Sequence, residues 1–379
     1  MRAFIILTIL FLALFNKGSS AAADIGMQTG FNLDWWGDSK DNDARQIQVP
    51  MSFMGRYRDF SFKVLTAYTD TRIDRSGAGK SSLGHLLDTK LITSYEIIGK
   101  LPVDILLGLD FNLPTGKTDL RQGDLALIMD PDLVTIINYG EGFDVNPTIA
   151  VAGEWGDWVG GAGFGYLWRG SYDFSSELNV TDYQPGDIYN INAEVRYFFT
   201  PEMSARLFGS HAWYGKDTVR ESDFYQEGEF SKFGLGIYYN RENKWDAGVT
   251  FRGILRDKSR FQAATPGVIV TESNDGQGDE WILDLAARYL PDEKTILRSF
   301  IQGRYFTEND YPSSSTFFVG KREKLSVGFG VTRAICAHFD AAFDIRGFVK
   351  HDEEANFPQA RSARDFQGVS VTLMLAGSF

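Results

Sequence analysis

The last twelve residues of the chain, Gly368 to Phe379, read GVSVTLMLAGSF, and the rest of the chain is interpreted from them. Side chains of a strand alternate between its two faces, so this stretch predicts a strand with one apolar face. The apolar side carries Val369, Val371, Leu373, Leu375 and Phe379, with Gly377 in the same register. The other side is small and polar apart from Met374. An apolar face on a terminal strand needs either a protein core or lipid against it.

The same alternation recurs along the chain, for example over residues 103–113, 245–256 and 339–350. A half-buried sheet in a water-soluble protein also alternates, so the period alone does not identify the environment. The predicted strands run for about 10–14 residues, whereas about 5–6 is usual in globular proteins. Aromatic residues near the strand ends are typical of a lipid-facing barrel: Phe199, Trp245, Trp281, Tyr289 and Phe379. The pattern favours an all-β transmembrane antiparallel barrel over a secreted water-soluble β-protein.

The connections between these strands alternate in length, as they do in outer-membrane barrels. Short turns are predicted near 58–59, 99–102, 156–157, 200–202, 241–243, 290–294 and 334–337. Long polar loops are predicted near 36–44, 70–86, 116–140, 174–184, 217–228, 258–278, 309–318 and 351–363. Seven turns and eight loops give about sixteen strands, with both termini at the short-turn rim. Fourteen is the alternative count, because the alternation is irregular over 87–99 and 158–172.

Composition sets the compartment and excludes some partners. Residues 1–23 read as a signal peptide, with Arg2, an apolar run and the small residues Ala21 to Ala23, which leaves 24–379 as the barrel. The single Cys336 allows no internal disulfide and no cysteine-based zinc site. A formal net charge of -12 argues against a nucleic-acid partner. Together with the barrel pattern, export predicts a location in the bacterial outer membrane.

Charged residues fall on the face opposite the apolar one. Facing lipid near the membrane midplane would cost about 2–4 kcal/mol for each Arg or Lys, so these residues are predicted to line the lumen. Acidic residues dominate the first half of the chain and Arg the second. Facing halves of opposite charge would give a transverse field across a channel; alternatively, the charges form ion pairs that fill a plugged barrel. The candidate selectivity residues are Asp104, Asp110, Glu154, Glu194, Arg196, Arg206, Arg252, Arg288, Arg298, Arg304, Asp340, Asp344 and Arg346.

The predicted loop 116–140 is the most apolar of the long loops, with eight Leu, Ile and Val residues. It either folds into the lumen as a constriction or lid, or part of it extends the flanking strands. Aromatic residues at inward positions indicate a path for solutes with apolar or aromatic parts: Phe198, Phe208, Tyr214, Phe300 and Phe306.

No catalytic, cofactor or metal site is predicted. The stretch Ser76 to Ser81 lacks the first Gly of a phosphate-binding loop, and 274–280 lacks the ligand spacing of a calcium loop. Of the four His, His211 is best placed, but the neighbouring Ser210 points to the opposite face of its strand. Nucleophile and base must share a face, so the sequence predicts a protein that is not an enzyme.

Two segments resemble a known family. The strand from Leu107 ending in Pro114-Thr115-Gly116, and the series Tyr139 to Pro147, Gly156 to Trp158 and Gly163 to Tyr166, are similar to outer-membrane proteins assigned to meta-pathway phenol degradation. The likeness covers residues 100–170 well. It implies an outer-membrane barrel tied to the breakdown of aromatic compounds, and it carries over no catalytic residues.

The sequence therefore predicts an outer-membrane channel that passes small organic solutes, aromatic ones included, by passive diffusion. The alternative is a structural or surface-binding barrel with a sealed lumen. The predicted partners are outer-membrane lipid, a small organic solute and the barrel-assembly machinery, which would engage the C-terminal strand ending at Phe379. No cofactor is predicted.

Overall fold

The computed structural model describes residues 24–77, 79–241 and 244–379. The predicted signal peptide, 1–23, lies outside the described residues. So do Ala78 and part of the predicted turn 241–243. One short 3-10 helix, Asp124–Leu127, interrupts what is otherwise a chain of β-strands in the described part. None of the helical segments there is long and apolar enough to cross a membrane.

The strands are numbered in chain order. The first eleven are β1 Asp24–Asp38, β2 Asp43–Tyr57, β3 Phe60–Arg75, β4 Gly79–Leu86, β5 Thr89–Ile97, β6 Asp104–Leu113, β7 Asp144–Trp155, β8 Trp158–Arg169, β9 Tyr183–Gln184, β10 Ile188–Phe198 and β11 Met203–Tyr214. The remaining eleven are β12 Asp217–Val219, β13 Ser222–Gln226, β14 Phe230–Arg241, β15 Trp245–Arg256, β16 Arg260–Gln262, β17 Ile269–Thr271, β18 Glu280–Asp292, β19 Thr295–Phe306, β20 Arg322–Cys336, β21 Phe339–Asp352 and β22 Arg364–Ser378.

The main sheet closes into a barrel. Each strand pairs antiparallel with its neighbour, and β1 pairs with β22 from Gly26↔Ser378 to Asp38↔Phe366. β4 and β5 both pair with β3, on its second and first halves, so together they form one interrupted strand. The barrel therefore has sixteen strands, which confirms the predicted fold class and count. Closure leaves no free sheet edge, as a spanning sheet requires.

The break between β4 and β5 explains one of the two irregular stretches in the sequence. The other, 158–172, contains an ordinary strand, β8, whose alternation is hidden by glycine. Gly163 and Gly165 lie on the inner face, where the side chains of Asn192 and Asn190 on β10 cover them. The side chain missing from β8 is thus supplied by its neighbour.

The outer face of the barrel is apolar and exposed. Leu207, Leu235, Val327 and Leu375 each keep 51–57% of their surface exposed, although they lie within paired strands. In the part of the chain that the structure describes, no layer of protein covers these side chains, so hydrocarbon is the medium that suits them. Aromatic pairs mark the short-turn rim: Trp245 stacks on Tyr289, Trp158 lies tilted against Tyr197, and Phe339 meets Phe379 edge-on.

The opposite rim is more regular than the sequence predicted. The predicted loop 36–44 is a tight hairpin, because β1 runs to Asp38 and β2 begins at Asp43. The predicted loop 70–86 is also mostly strand, since β3 runs to Arg75 and β4 begins at Gly79. Both loop predictions were wrong because the strands continue beyond the apolar band of the barrel. There their side chains are mostly polar, so the sequence resembles a loop. Other loops form a small five-stranded sheet in the order β17-β16-β13-β12-β9.

Candidate functional site

The loop between β6 and β7 identifies the lumen. Gln46 of β2 exchanges two hydrogen bonds with the backbone of Ile136, at 2.8 and 2.7 Å. Three strands round the wall from β2, Lys350 of β21 donates to the Asp130 carboxylate at 2.8 Å, and Lys324 of β20 donates to the Asp132 carbonyl. A loop that starts at β6 and reaches β2, β20 and β21 must cross the lumen, so these side chains mark the inner face.

The strand register extends that assignment around the barrel, because directly opposed residues of an antiparallel pair share a face. From Lys324 the inner face passes to Arg304 on β19 and to Lys350 on β21. Stepping from strand to strand in this way places every candidate selectivity residue on the inner face: Asp104, Asp110, Glu154, Glu194, Arg196, Arg206, Arg252, Arg288, Arg298, Arg304, Asp340, Asp344 and Arg346. Their role in selecting solutes stays a prediction.

A compact apolar cluster holds the inward loop. Leu127 and Tyr139 from the loop are fully buried, at 0% and 1% exposure, against Trp36, Ile73 and Phe348 on the inner faces of β1, β3 and β21. Residues 116–140 were expected either to fold into the lumen or to extend the flanking strands, and the structure shows that they fold into the lumen. Since the loop is anchored by burial, it forms a fixed constriction in the outer mouth.

Opposite charges hold the tip of the loop against the wall of β18–β21. Arg304 pairs with Asp132 and, at 2.6 Å, with Glu280. Asp130 lies 2.8 Å from Lys350 and 3.4 Å from Arg322. Burial raises the pKa of the Asp130 carboxyl, but the two cations outweigh burial and hold this pKa at about 2.

The low pKa of Asp130 makes the constriction acid-resistant. A carboxyl whose folded pKa lies below its ordinary 3.8 contributes stability above that value, and the contribution disappears as the pH falls towards 2. We therefore expect the effect of Asp130 on single-channel conductance, measured as the difference between the unchanged protein and Asp130→Asn, to change little between about pH 7 and about pH 4 and to disappear below about pH 3. Asp130→Asn removes the charge at every pH, so the difference excludes the other titrating groups of the lumen. A transition of this difference near about pH 5 would contradict the assignment.

Away from the loop, charges pair along the wall itself. Glu194 of β10 lies 2.5 Å from Arg206 of β11, and Arg298 of β19 lies 2.8 Å from Asp344 of β21. Arg252 pairs with Asp284, and Arg288 with Asp246. These four arginines of the second half of the chain therefore have carboxylates beside them, which weakens a field directed from one half to the other. Opposite charges from different sides of the lumen meet at the tip of the inward loop. There Asp130 and Asp132 contact the basic residues of β19–β21.

Some candidates stand outside these pairs. Among the described residues, Glu154, Asp340 and Arg346 have no ion-pair partner, and Asp104 accepts a hydrogen bond from the Gly99 backbone in the adjoining turn. Unpaired lumenal charges keep their full effect on passing ions.

A cavity of about 670 Å³ lies on the inner wall near the short-turn rim. Charged and aromatic side chains share its lining: Arg196, Phe198, Tyr238, Arg288, Phe300 and Asp344. The Arg196 guanidinium lies 5.5 Å from the centre of the Tyr238 ring. The Tyr238 and Phe300 rings lie against the wall because a glycine faces each of them on the next strand, Gly248 opposite Tyr238 and Gly328 opposite Phe300. The lining suits a solute that has both an apolar ring and a polar group.

Gly328→Ala tests the flat packing of Phe300. A methyl group on Gly328 would overlap the Phe300 ring, so the ring must turn towards the lumen. We expect a lower conductance and a loss of about 1–3 kcal/mol in the free energy of unfolding. The double variant Gly328→Ala/Phe300→Ala should restore both values. Gly303→Ala on β19 is the matched control, because a methyl group there meets open space.

The structure also brings together residues that sequence reasoning missed. His211 of β11 shares the outward face with Ser231 of β14 and contacts it, whereas the sequence comparison considered only Ser210. The partner lies twenty residues away and faces His211 only because of the strand register. Nothing in the local sequence signals this pairing. In the described part of the chain, His, Cys, Asp and Glu side chains form no group of three that could hold a metal ion.

The closed sheet, its exposed apolar exterior and its inward loop define a porin-like outer-membrane β-barrel. The chain belongs to the family described as "Putative MetA-pathway of phenol degradation", whose model matches residues 59–265, more than half of the 379. This confirms the resemblance found in the sequence.

The chain is similar to solved structures at low sequence identity. OmpT of Vibrio cholerae is 11% identical, with 96% of this chain and 99% of that chain covered and a TM-score of 0.46. A triple mutant of the Rhodopseudomonas blastica porin is 10% identical, with 94% and 99% covered and a TM-score of 0.34. No curated protein matches the chain.

Proposed function

We propose that this protein is a channel of the bacterial outer membrane that admits small organic solutes by passive diffusion. The observation that carries the proposal is the inward loop. Among the described residues, its buried apolar contacts, ion pairs and hydrogen bonds reach β1–β4, β19–β22 and the loop after β8, and none of them reaches the inner faces of β8–β15. Along that uncovered side run Glu194, Arg206 and Arg252. A narrowed mouth beside a charged wall suits selective diffusion.

Solutes with an aromatic ring are the preferred class. The cavity near the short-turn rim offers rings, such as Phe300 and Tyr238, beside paired Arg and Asp side chains. Flat ring contact with adjacent hydrogen-bonding charges favours a hydroxylated or carboxylated ring over a plain sugar. The family description, which refers to phenol degradation, supports the same class.

A sealed barrel is the second candidate, and the buried cluster in the outer mouth favours it. Leu127 and Tyr139 pack there as tightly as residues of a protein core. In that case the lumen would conduct nothing and the outer loops would carry the function. Lumen width beside the loop separates the two candidates.

Conductance of the purified protein in a planar bilayer tests the proposal. A channel gives discrete current steps, and aromatic acids or phenols added to one side reduce them as they enter. Liposomes containing the protein should also swell faster with a phenol than with a sugar of equal size. A protein that conducts neither before nor after removal of the inward loop would rule the channel out and leave the sealed barrel.

Delivery to the membrane follows from the ends of the chain. Residues 1–23 would direct export and be removed, and the C-terminal strand would engage the barrel-assembly machinery. Phe379 is well presented for this: its backbone closes the barrel with Ile25, and its ring contacts Phe339 and His338. Loss of Phe379 should reduce the amount of protein in outer-membrane fractions.

A further inference from the structure

Three polar side chains form a chain of hydrogen bonds on the outside of the barrel. Nδ1 of His211 lies 2.8 Å from the Ser231 hydroxyl, and Nε2 of the same ring lies 3.2 Å from the Glu229 carboxylate. His211 and Ser231 are directly opposed on β11 and β14, and Glu229 immediately precedes β14. Nothing in the lumen or the loop constriction uses these residues.

The arrangement fixes the roles of the two ring nitrogens. The carboxylate of Glu229 can only accept, so Nε2 carries the proton that it donates to Glu229. Nδ1 then has a free lone pair, which faces the hydroxyl hydrogen of Ser231. Carboxylate, imidazole and hydroxyl in this order are the parts that activate a serine as a nucleophile.

The three residues lie at the edge of the membrane that faces the long loops. His211 lies near the end of β11 away from its short turn, and Ser231 lies near the start of β14. The ring of Trp213 meets that of His211 at 4.4 Å between centres. Trp at this level marks the boundary between hydrocarbon and headgroups. The side chain of His211 keeps 27% of its surface exposed and that of Glu229 50%, so both lipid and water reach the site.

An apolar groove of about 650 Å³ leads along the outer wall to His211. Its outward-facing lining is apolar and includes both small and large side chains: Ile149, Ala162, Phe164, Ile191, Ala193 and Gly209. Its volume and apolar lining suit an acyl chain lying against the barrel, with the carbonyl end at the Ser231–His211 pair.

We propose that Ser231, His211 and Glu229 form an esterase site for acyl esters in the outer leaflet of the membrane. The Ser231 hydroxyl oxygen attacks the ester carbonyl carbon while Nδ1 of His211 takes its proton. The bond to the alcohol oxygen breaks, and His211 returns the proton to the leaving alcohol. Water, deprotonated by His211, then releases the acyl group from Ser231 as a carboxylic acid, and the serine regains its proton. Glu229 is a positioning residue, which holds the ring and its tautomer.

A fluorophosphonate probe tests the nucleophile in the folded protein. We expect the probe to label the unchanged barrel, and mass spectrometry of its peptides to place the adduct on Ser231. Ser231→Ala should abolish labelling, while Ser210→Ala, one residue from His211 but facing the lumen, should leave it intact. Because the adduct is mapped in the unchanged protein, the test does not depend on the folding of any variant. An absent adduct, or one at another residue, overturns the proposal.

Hydrolysis of p-nitrophenyl octanoate in detergent micelles tests His211 as the general base and Glu229 as the residue that positions it. His211→Asn should reduce kcat by about 100-fold or more, the usual contribution of a general base. Glu229→Gln should lower kcat without changing KM, and Glu229→Asp should recover much of the loss. Heat-modifiable migration on gels shows whether the unchanged protein and Ser231→Ala are both folded. If both are folded and hydrolyse the ester at equal rates, the hydrogen bonds among Ser231, His211 and Glu229 have no catalytic function. Channel conductance should be the same in all these variants, so this proposal and the channel fail independently.

Discussion

Excision of the inward loop should raise the single-channel conductance several-fold. The loop can be removed cleanly because its two ends already meet: the Lys117 backbone N–H donates to the Tyr139 carbonyl at 3.1 Å. Replacing residues 118–138 by a short Gly-Ser linker therefore spans almost no distance. The excision removes the buried cluster around Leu127 and the acidic tip at Asp130 and Asp132, so the outer mouth widens and the basic wall faces the open lumen.

The same excision should change ion selectivity. Arg304, Arg322 and Lys350 lose their partners on the loop, so anions should gain over cations in reversal-potential measurements. A variant that replaces only the exposed residues 121–123 by a Gly-Ser linker keeps the buried cluster and the acidic tip, so it is the control for folding and should conduct like the unchanged protein. Unaltered conductance after complete excision would show that the constriction lies elsewhere in the barrel.

Lys350→Met should produce the largest loss of stability from a single substitution. The Lys350 side chain is only 1% exposed and lies 2.8 Å from Asp130 and 3.0 Å from Asp352. Its ammonium also sits 4.9 Å from the centre of the Phe366 ring. Removing one partner of a buried ion pair leaves the other charge uncompensated, which costs about 3–5 kcal/mol. Urea unfolding in lipid vesicles measures this loss, and conductance reports the loosened loop.

Lys80→Met is the matched control for Lys350→Met. Lys80 pairs with Asp74 at 2.9 Å, a similar distance, but its side chain is 82% exposed at the tip of a hairpin. Solvent screens such a pair, so no measurable change in unfolding is expected. The double variant Lys350→Met/Asp130→Asn should recover part of the lost stability, since it removes one of the two stranded carboxylates. Equal effects of the two Lys→Met substitutions would contradict the buried cluster.

The membrane-spanning fold could be read from the sequence because its signal is local. Alternation has a period of two residues, so the face of each side chain follows from its position within its own strand. The GVSVTLMLAGSF stretch and its relatives upstream needed no knowledge of their neighbours. For the same reason, the odd or even position of a residue within its strand was enough to predict that residues such as Arg206 and Asp344 face the lumen. The strand ends at the long-loop rim were harder to predict from the sequence. A strand whose side chains are mostly polar resembles a loop, as residues 70–86 did.

Tertiary structure alone decided what the side chains meet. Asp130 and Lys350 are 220 positions apart, and their contact depends on the loop folding inward across a closed barrel. His211 and Ser231 face each other because of the register between β11 and β14, which no local pattern encodes. Burial of the apolar residues of loop 116–140 could be foreseen, but whether they would pack inward or extend strands could not. By itself the sequence determined the face on which each strand residue lies, because that is a property of the extended backbone. Which residues pair, and where the lumen narrows, were set only when closure brought distant strands and the loop together.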